Sequence, residues 1–238
     1  MQTDGITQTK FLLAGHSHCY ALGLPSRPHD DPNAIVGLFA DADGVVGGWP
    51  RDNSYWDYVV EQSAGYATVV IWEGSQHIAR FLLVSQPDFD FVWTGFPTRA
   101  DVPLVPRSLV GSYLSQQTYG LADTVKRLAA VPGCRPIVAG TPPPKNDDRR
   151  LHDLLRTEDY YVSACKRLGY SVDELEKVRF SDPQLRLKSW AVVQSLLKAA
   201  ADAYGAVFVP VPDEVKDDDG FLAHRFWNPD LTHANGEY

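Results

Sequence analysis

The sequence predicts an α/β fold, a three-layer α/β/α sandwich around a five-stranded parallel sheet. Three observations lead there. The short runs Phe11–Ala14, Ala34–Ala40, Ala67–Trp72, Arg135–Gly140 and Ala206–Val211 are mostly apolar and lack two-residue alternation, as expected of strands buried on both faces. Stretches with helical periodicity separate them, which is the alternation that parallel strands and crossover helices require. Polar clusters or glycine-rich turns follow the strand ends, and ligands of open α/β sheets bind at that carboxyl edge.

Taken in order, Phe11–Ala14 is a buried strand that Gly15 breaks, delivering His16, Ser17 and His18 into a turn. Pro25, Pro28 and Pro32 make the next stretch a loop. Ala34–Ala40 is the second strand and runs into the glycine-rich DADGVVGGWPRD, which holds Gly47 and Gly48. Asp52–Ser63 reads as a helix with Tyr55, Trp56, Val59 and Val60 along one side. Ala67–Trp72, rich in β-branched residues, is the third strand and ends in Glu73-Gly74-Ser75-Gln76-His77.

Around residues 80–110, Phe89, Phe91, Trp93 and Phe96 stand among prolines and predict an irregular aromatic insertion. Its rings are expected to fill a satellite core, and a covering lid is the other reading. Ser112–Ala130 is helical with an interruption at Gly120 and a stop at Pro132-Gly133. Arg135–Gly140 is the fourth strand and leads into Thr141-Pro142-Pro143-Pro144. Helices are expected over Arg149–Leu168 and Ser171–Lys177. A longer one follows over Leu185–Tyr204, with Leu187, Trp190, Ala191, Leu196, Leu197 and Ala200 as its apolar face. Gly205 caps that helix, Ala206–Val211 is the fifth strand, and Pro212–Tyr238 is loop. No repeat or linker interrupts the chain, so residues 1–238 are expected to form a single domain.

A length of 238 residues suffices for a substantial core, and 44% hydrophobic with 22% charged residues is an ordinary globular balance. The formal charge of -8 argues against nucleic acid or an anionic membrane as partner, and Lys145, Arg149 and Arg150 are too few to form a basic patch. Cys19, Cys134 and Cys165 are widely spaced without a CxxC motif, the pattern of reduced thiols. The polar N-terminal segment does not read as a signal peptide, and no apolar run approaches the length of a membrane span. A cytoplasmic location is expected, unless a leader was removed.

Two chemistries suit these clusters. In Asp230-Leu231-Thr232-His233 the carboxylate stands three residues before the imidazole, where it can hold the ring's tautomer, and Ser17 supplies a hydroxyl for acyl transfer. Alone, the DxxH pattern also fits a capping aspartate beside a surface histidine. Alternatively His16 and His18, with His77, Asp230 and His233, offer nitrogen and oxygen donors for a metal.

The order of the blocks resembles the SGNH hydrolase superfamily, the GDSL-like esterases and lipases. Gly15-His16-Ser17 stands where the family usually has Gly-Asp-Ser, and the final Asp-x-x-His is intact as Asp230 and His233. Thr141-Pro142-Pro143 resembles a loop frequent in the family. The resemblance implies a flavodoxin-like strand order, 2-1-3-4-5, and a triad in which Ser17 attacks an ester carbonyl, His233 moves the proton and Asp230 orients the ring. It further implies an oxyanion hole made by the Ser17 N–H, Gly47 or Gly48, and a side-chain amide after the third strand. There the family has asparagine and this chain has Ser75 and Gln76. His16, His77 and Thr141 are candidate substrate contacts. No cofactor is implied, and the expected substrate is a small-molecule or carbohydrate ester, with deacetylation first and acyl transfer as the nearest variant.

Two alternatives stand beside this reading. One is a binding protein that kept the fold and lost the reaction, which the altered first and third blocks would suit. The other is a metal-dependent phosphoesterase using His16 and His18, although the Asp-x-His and Gly-Asn-His blocks of that family are not found. A helix that packs back on the sheet would normally follow His233, and the sequence given stops at Tyr238, so that helix is expected to be missing or the natural chain to be longer.

Overall fold

A computed structural model of the chain describes residues 11–15, 36–38, 53–72, 81–84, 88–116 and 118–238. It is an α/β structure with a parallel sheet. The strands are β1 (Phe11–Gly15), β2 (Val36–Leu38), β3 (Ala67–Ile71), β4 (Arg135–Ala139) and β5 (Val207–Val209), in the order β2-β1-β3-β4-β5. The helices are α1 (Asn53–Gln62), α2 (Arg107–Ser115), α3 (Leu121–Ala129), α4 (Asp148–Leu155), α5 (Asp159–Arg167) and α6 (Pro183–Ala203). The chain divides into two compact units, residues 1–73, 120–140 and 197–209, and residues 74–119, 141–196 and 210–238.

The first unit holds the sheet. β1 pairs with β3 from Phe11↔Ala67 to Gly15↔Ile71, and β3 with β4 from Ala67↔Arg135. Gly15 does not break its strand, as its sequence position suggested, but is its last paired residue. A Cβ there would lie 2.1 Å from the Ile71 carbonyl oxygen, so glycine is required by the approach of β3. The Gly15 N–H donates to the Tyr55 hydroxyl of α1 at 2.9 Å. Tyr55, Trp56 and Val59 are buried as the helical periodicity predicts, and Trp56 stacks on Trp72 at 4.8 Å. α3 buries Leu121, Val125 and Leu128, and its Arg127 pairs with Asp57 of α1 at 2.6 Å. Gly120 starts α3 with φ 93°, a left-handed conformation that explains why the predicted helical stretch splits there. β5 differs from expectation. At the end of the sheet, Val207 and Val209 stay exposed, so this strand is not buried on both faces.

In the second unit, the helix expected over Arg149–Leu168 is two helices. The Thr157 N–H and hydroxyl both donate to the Leu154 carbonyl, at 2.9 and 2.7 Å, which closes α4. Glu158 is then extended and begins α5. Val172–Lys177 is a 3-10 helix, with the Ser171 N–H and hydroxyl both donating to the Glu174 carboxylate. The core joins Leu151 and Leu155 of α4, Tyr161 and Cys165 of α5, and Phe226, Trp227 and Leu231 of the C-terminal segment. The predicted satellite core of the aromatic insertion is centred on Phe91, fully buried with Trp93 edge-on at 6.4 Å, while Trp93 and Phe96 remain half-buried. α6 departs most from its predicted face, because Arg186 and Lys188 are buried along with Leu185, Leu187 and Val193. Residues 234–238 form no helix: Ala234 bridges to Trp227 and the Tyr238 N–H closes a turn on Asn235.

Among the described residues no helix is long and apolar enough to cross a membrane. Among the described residues Cys134 and Cys165 form no disulfide, and burial pushes the Cys165 thiol up.

Candidate active site

Asp230 and His233 meet in a loop, Asn228–His233, whose local sequence explains its shape. The loop is closed at its base by the Asn228 N–H on the His233 carbonyl at 3.2 Å and by the Trp227↔Ala234 bridge. Leu231 is fully buried, and Phe226 and Trp227 pack beneath it with the indole N–H donating to the Leu222 carbonyl at 2.7 Å. Those two rings are buried packing residues. Inside the loop, one Asp230 oxygen accepts from the backbone N–H groups of Thr232 at 2.9 Å and His233 at 2.6 Å. The other lies 2.9 Å from His233 Nδ1 and accepts from the Asn228 amide at 2.5 Å.

This geometry selects a protonation state. Burial pushes the Asp230 carboxyl up, but the His233 ring and N–H and the Asn228 amide together outweigh it and hold the carboxyl well below its ordinary range. An ionised carboxylate only accepts, so Nδ1 of His233 carries the hydrogen and the lone pair of the neutral ring is on Nε2. The Asp230 side chain is 16% exposed and His233 26%, which encloses the acid while leaving the ring within reach of solvent. The pair has what a general base needs: a fixed tautomer, an orienting acid and an accessible face.

Two further residues build the loop, and neither was a site candidate in the sequence. Lys145, 1% exposed, donates to the carbonyls of Asn228 at 2.8 Å and Asp230, with its ammonium 3.5 Å from the Asp230 carboxylate. Burial pushes Lys145 down to about 8 despite Asp230 and Glu158, and Arg150 adds to the lowering. The Glu158 carboxylate accepts the Leu231 N–H, and burial pushes its carboxyl up. Lys145 had a usable signal, since it follows the end of the fourth strand and the same edge argument selected Ser17 and Ser75. Glu158 had none, because an acidic residue within a helical stretch reads as solvated surface.

Thr141 is not an open wall of the site. It is fully buried, its hydroxyl accepts from Gln194 at 2.9 Å and its carbonyl accepts from Trp190 at 2.8 Å, which ties the segment after β4 to α6. Ser17, His16, Gly47, Gly48, Ser75, Gln76 and His77 lie outside the described residues, as do His18 and Cys19. Among the described residues, no group of three or more side chains could hold a metal ion. A separate cavity of about 430 Å³ is lined by Trp93, Arg107, Ser108, Val192, Ser195 and Leu196, none of them a candidate residue.

Neither a family model nor a curated protein matches this chain. Among solved structures, an extracellular lipase from Streptomyces rimosus is similar with a TM-score of 0.40 and 10% identity, over 96% of this chain and 94% of the lipase chain. A likeness of that degree says nothing of activity.

Proposed function

We propose that the chain is a serine-dependent carboxylic ester hydrolase in which Ser17 is the nucleophile, His233 the base and Asp230 its orienting acid. The observation that supports this reading is the 2.9 Å contact between Asp230 and Nδ1 of His233, made by a carboxylate whose other oxygen is held by two backbone N–H groups. With Nδ1 occupied, Nε2 takes the Ser17 proton as the hydroxyl oxygen bonds to the ester carbonyl carbon. It returns that proton to the leaving alcohol, and water then releases the acid by the same two proton transfers. The Ser17 N–H, Gly47 or Gly48, and Ser75 or Gln76 would receive the developing oxyanion. One such donor is worth about 3 kcal/mol in the transition state. His16 and His77 would contact substrate, and a small-molecule or carbohydrate acetyl ester is the first substrate to try.

A fluorophosphonate should label Ser17, and Ser17→Ala and His233→Ala should each lower turnover of short acyl esters by about a thousandfold or more. Turnover that survives both substitutions sinks the proposal. Absence of an adduct points to a binding protein, and loss of activity on chelation points to metal-dependent chemistry.

A further inference from the structure

We infer that Lys145, with Glu158 opposite it, is a positioning residue that holds the loop carrying Asp230 and His233 by its backbone; this rests on the ester-hydrolase reading of that pair. The loop is grasped at three main-chain points. Lys145 takes the carbonyls of Asn228 and Asp230, and Glu158 takes the N–H of Leu231, which follows Asp230. An ammonium on the carbonyl and a carboxylate on the N–H of the one Asp230–Leu231 peptide unit hold it from both ends and prevent it from rotating, and rotation is what would separate Asp230 from the imidazole.

Lys145 is well supported for that work. Pro142, Pro143 and Pro144 precede it, and proline fixes φ and lacks an N–H, so the lysine is carried on a stiff extended strap. The strap is tied on both sides of Lys145, by the Leu222 N–H on the Pro144 carbonyl at 3.1 Å and by the Asn146 amide on Asp217 at 3.0 Å. The Trp227 ring lies 5.2 Å from the ammonium. Placing a buried lysine in this way is costly unless its charge is used, and its donors all go to the loop.

Lys145 is also electrically coupled to the acid that orients the base. Asp230 faces it from the loop, Glu158 from the start of α5 and Arg150 from α4, with Tyr161 of α5 beside Glu158 and Asp230.

The test is the imidazole tautomer of His233, read from nitrogen chemical shifts in the full chain, with His233→Gln identifying the resonance among the 7 histidines. In Lys145→Met the share of neutral ring protonated at Nδ1 should fall. kcat for a short acyl ester should drop about tenfold or more with KM unchanged, and Lys145→Arg should restore part of both. Glu158→Gln, which removes the carboxylate from the Leu231 N–H, should lower the Nδ1 share as well, and this decides the matter even where Lys145→Met fails to fold. Unchanged tautomer and kcat in the folded variants would overturn the assignment, whatever happens to Tm. The nitrogen shifts need no turnover, so a wild-type chain without esterase activity would refute the reaction while those shifts still decide the role of Lys145.

Discussion

Gly15 shows how a single missing methyl group can place a strand. Its would-be Cβ sits 2.1 Å from the Ile71 carbonyl oxygen and 2.9 Å from that residue's carbonyl carbon, both backbone atoms that cannot turn aside. Gly15→Ala should therefore force β1 from β3 and cost about 3 kcal/mol or more, the upper end for overpacking. Urea unfolding measures it, and a midpoint equal to wild type would show that the strands do not approach this closely. At the same scale, the site was legible where chemistry leaves a local spacing. Asp230 and His233 stand three apart, and that interval carries both the ring contact and the backbone contact. Lys145 was legible only by its place after the fourth strand and Glu158 not at all, because their partners are main-chain groups 73 to 85 residues away, and a main-chain group leaves no mark on the pattern of side chains.

Among the elements, α6 teaches the most. Its 21 residues were expected to bury a face of Leu, Trp and Ala, yet two of its fully enclosed side chains are cations. Arg186 donates to the Ser181 carbonyl and to Asp148, both at 2.7 Å. Lys188 pairs with Asp90, whose carboxylate also accepts the N–H groups of Phe91 and Arg99, and donates to the carbonyls of Phe91 and Pro97 at 3.1 Å. One lysine thus ties together the described part of the irregular insertion. Lys188→Met should cost about 3–5 kcal/mol by stranding Asp90, and pairing it with Asp90→Asn should recover part of that loss. Lys198→Met, which breaks an exposed pair with Asp202, should cost less than about 0.5 kcal/mol. Equal costs for the two lysines, by chemical denaturation, would contradict this picture. Apolar periodicity cannot reveal such a device, because a buried ion pair and a solvated one look alike in sequence. Periodicity did reveal the parallel α/β class and the positions of α1 and β3, since those depend on runs of apolar residues alone.

For the whole molecule, the buried polar groups make stability depend on pH at both ends. Asp230 is held below its ordinary value, so its contribution is complete above about pH 4 and is lost as pH falls toward the folded value. Lys145 acts in the alkaline range. The unfolded chain keeps that proton up to 10.5 and the folded chain releases it at about 8, so between those values the unfolded state binds more protons and stability rises with pH. The stability difference between wild type and Lys145→Met should therefore grow by about 1–2 kcal/mol from pH 7.5 to 9.5. Urea midpoints across that interval measure it, and a constant difference would mean that Lys145 titrates normally in the folded chain.

The clamp on the DxxH loop also imposes an order on synthesis. Lys145 and Glu158 precede the atoms they hold by 73 to 85 residues, which is about 4–17 s of translation. Throughout that interval the strap and the start of α5 have emerged or are emerging without their principal ligands. The loop that completes them is also the one that carries Asp230 and His233. On the proposed chemistry, a nascent chain is catalytically silent until the loop that carries Asp230 and His233 has docked on Lys145 and Glu158.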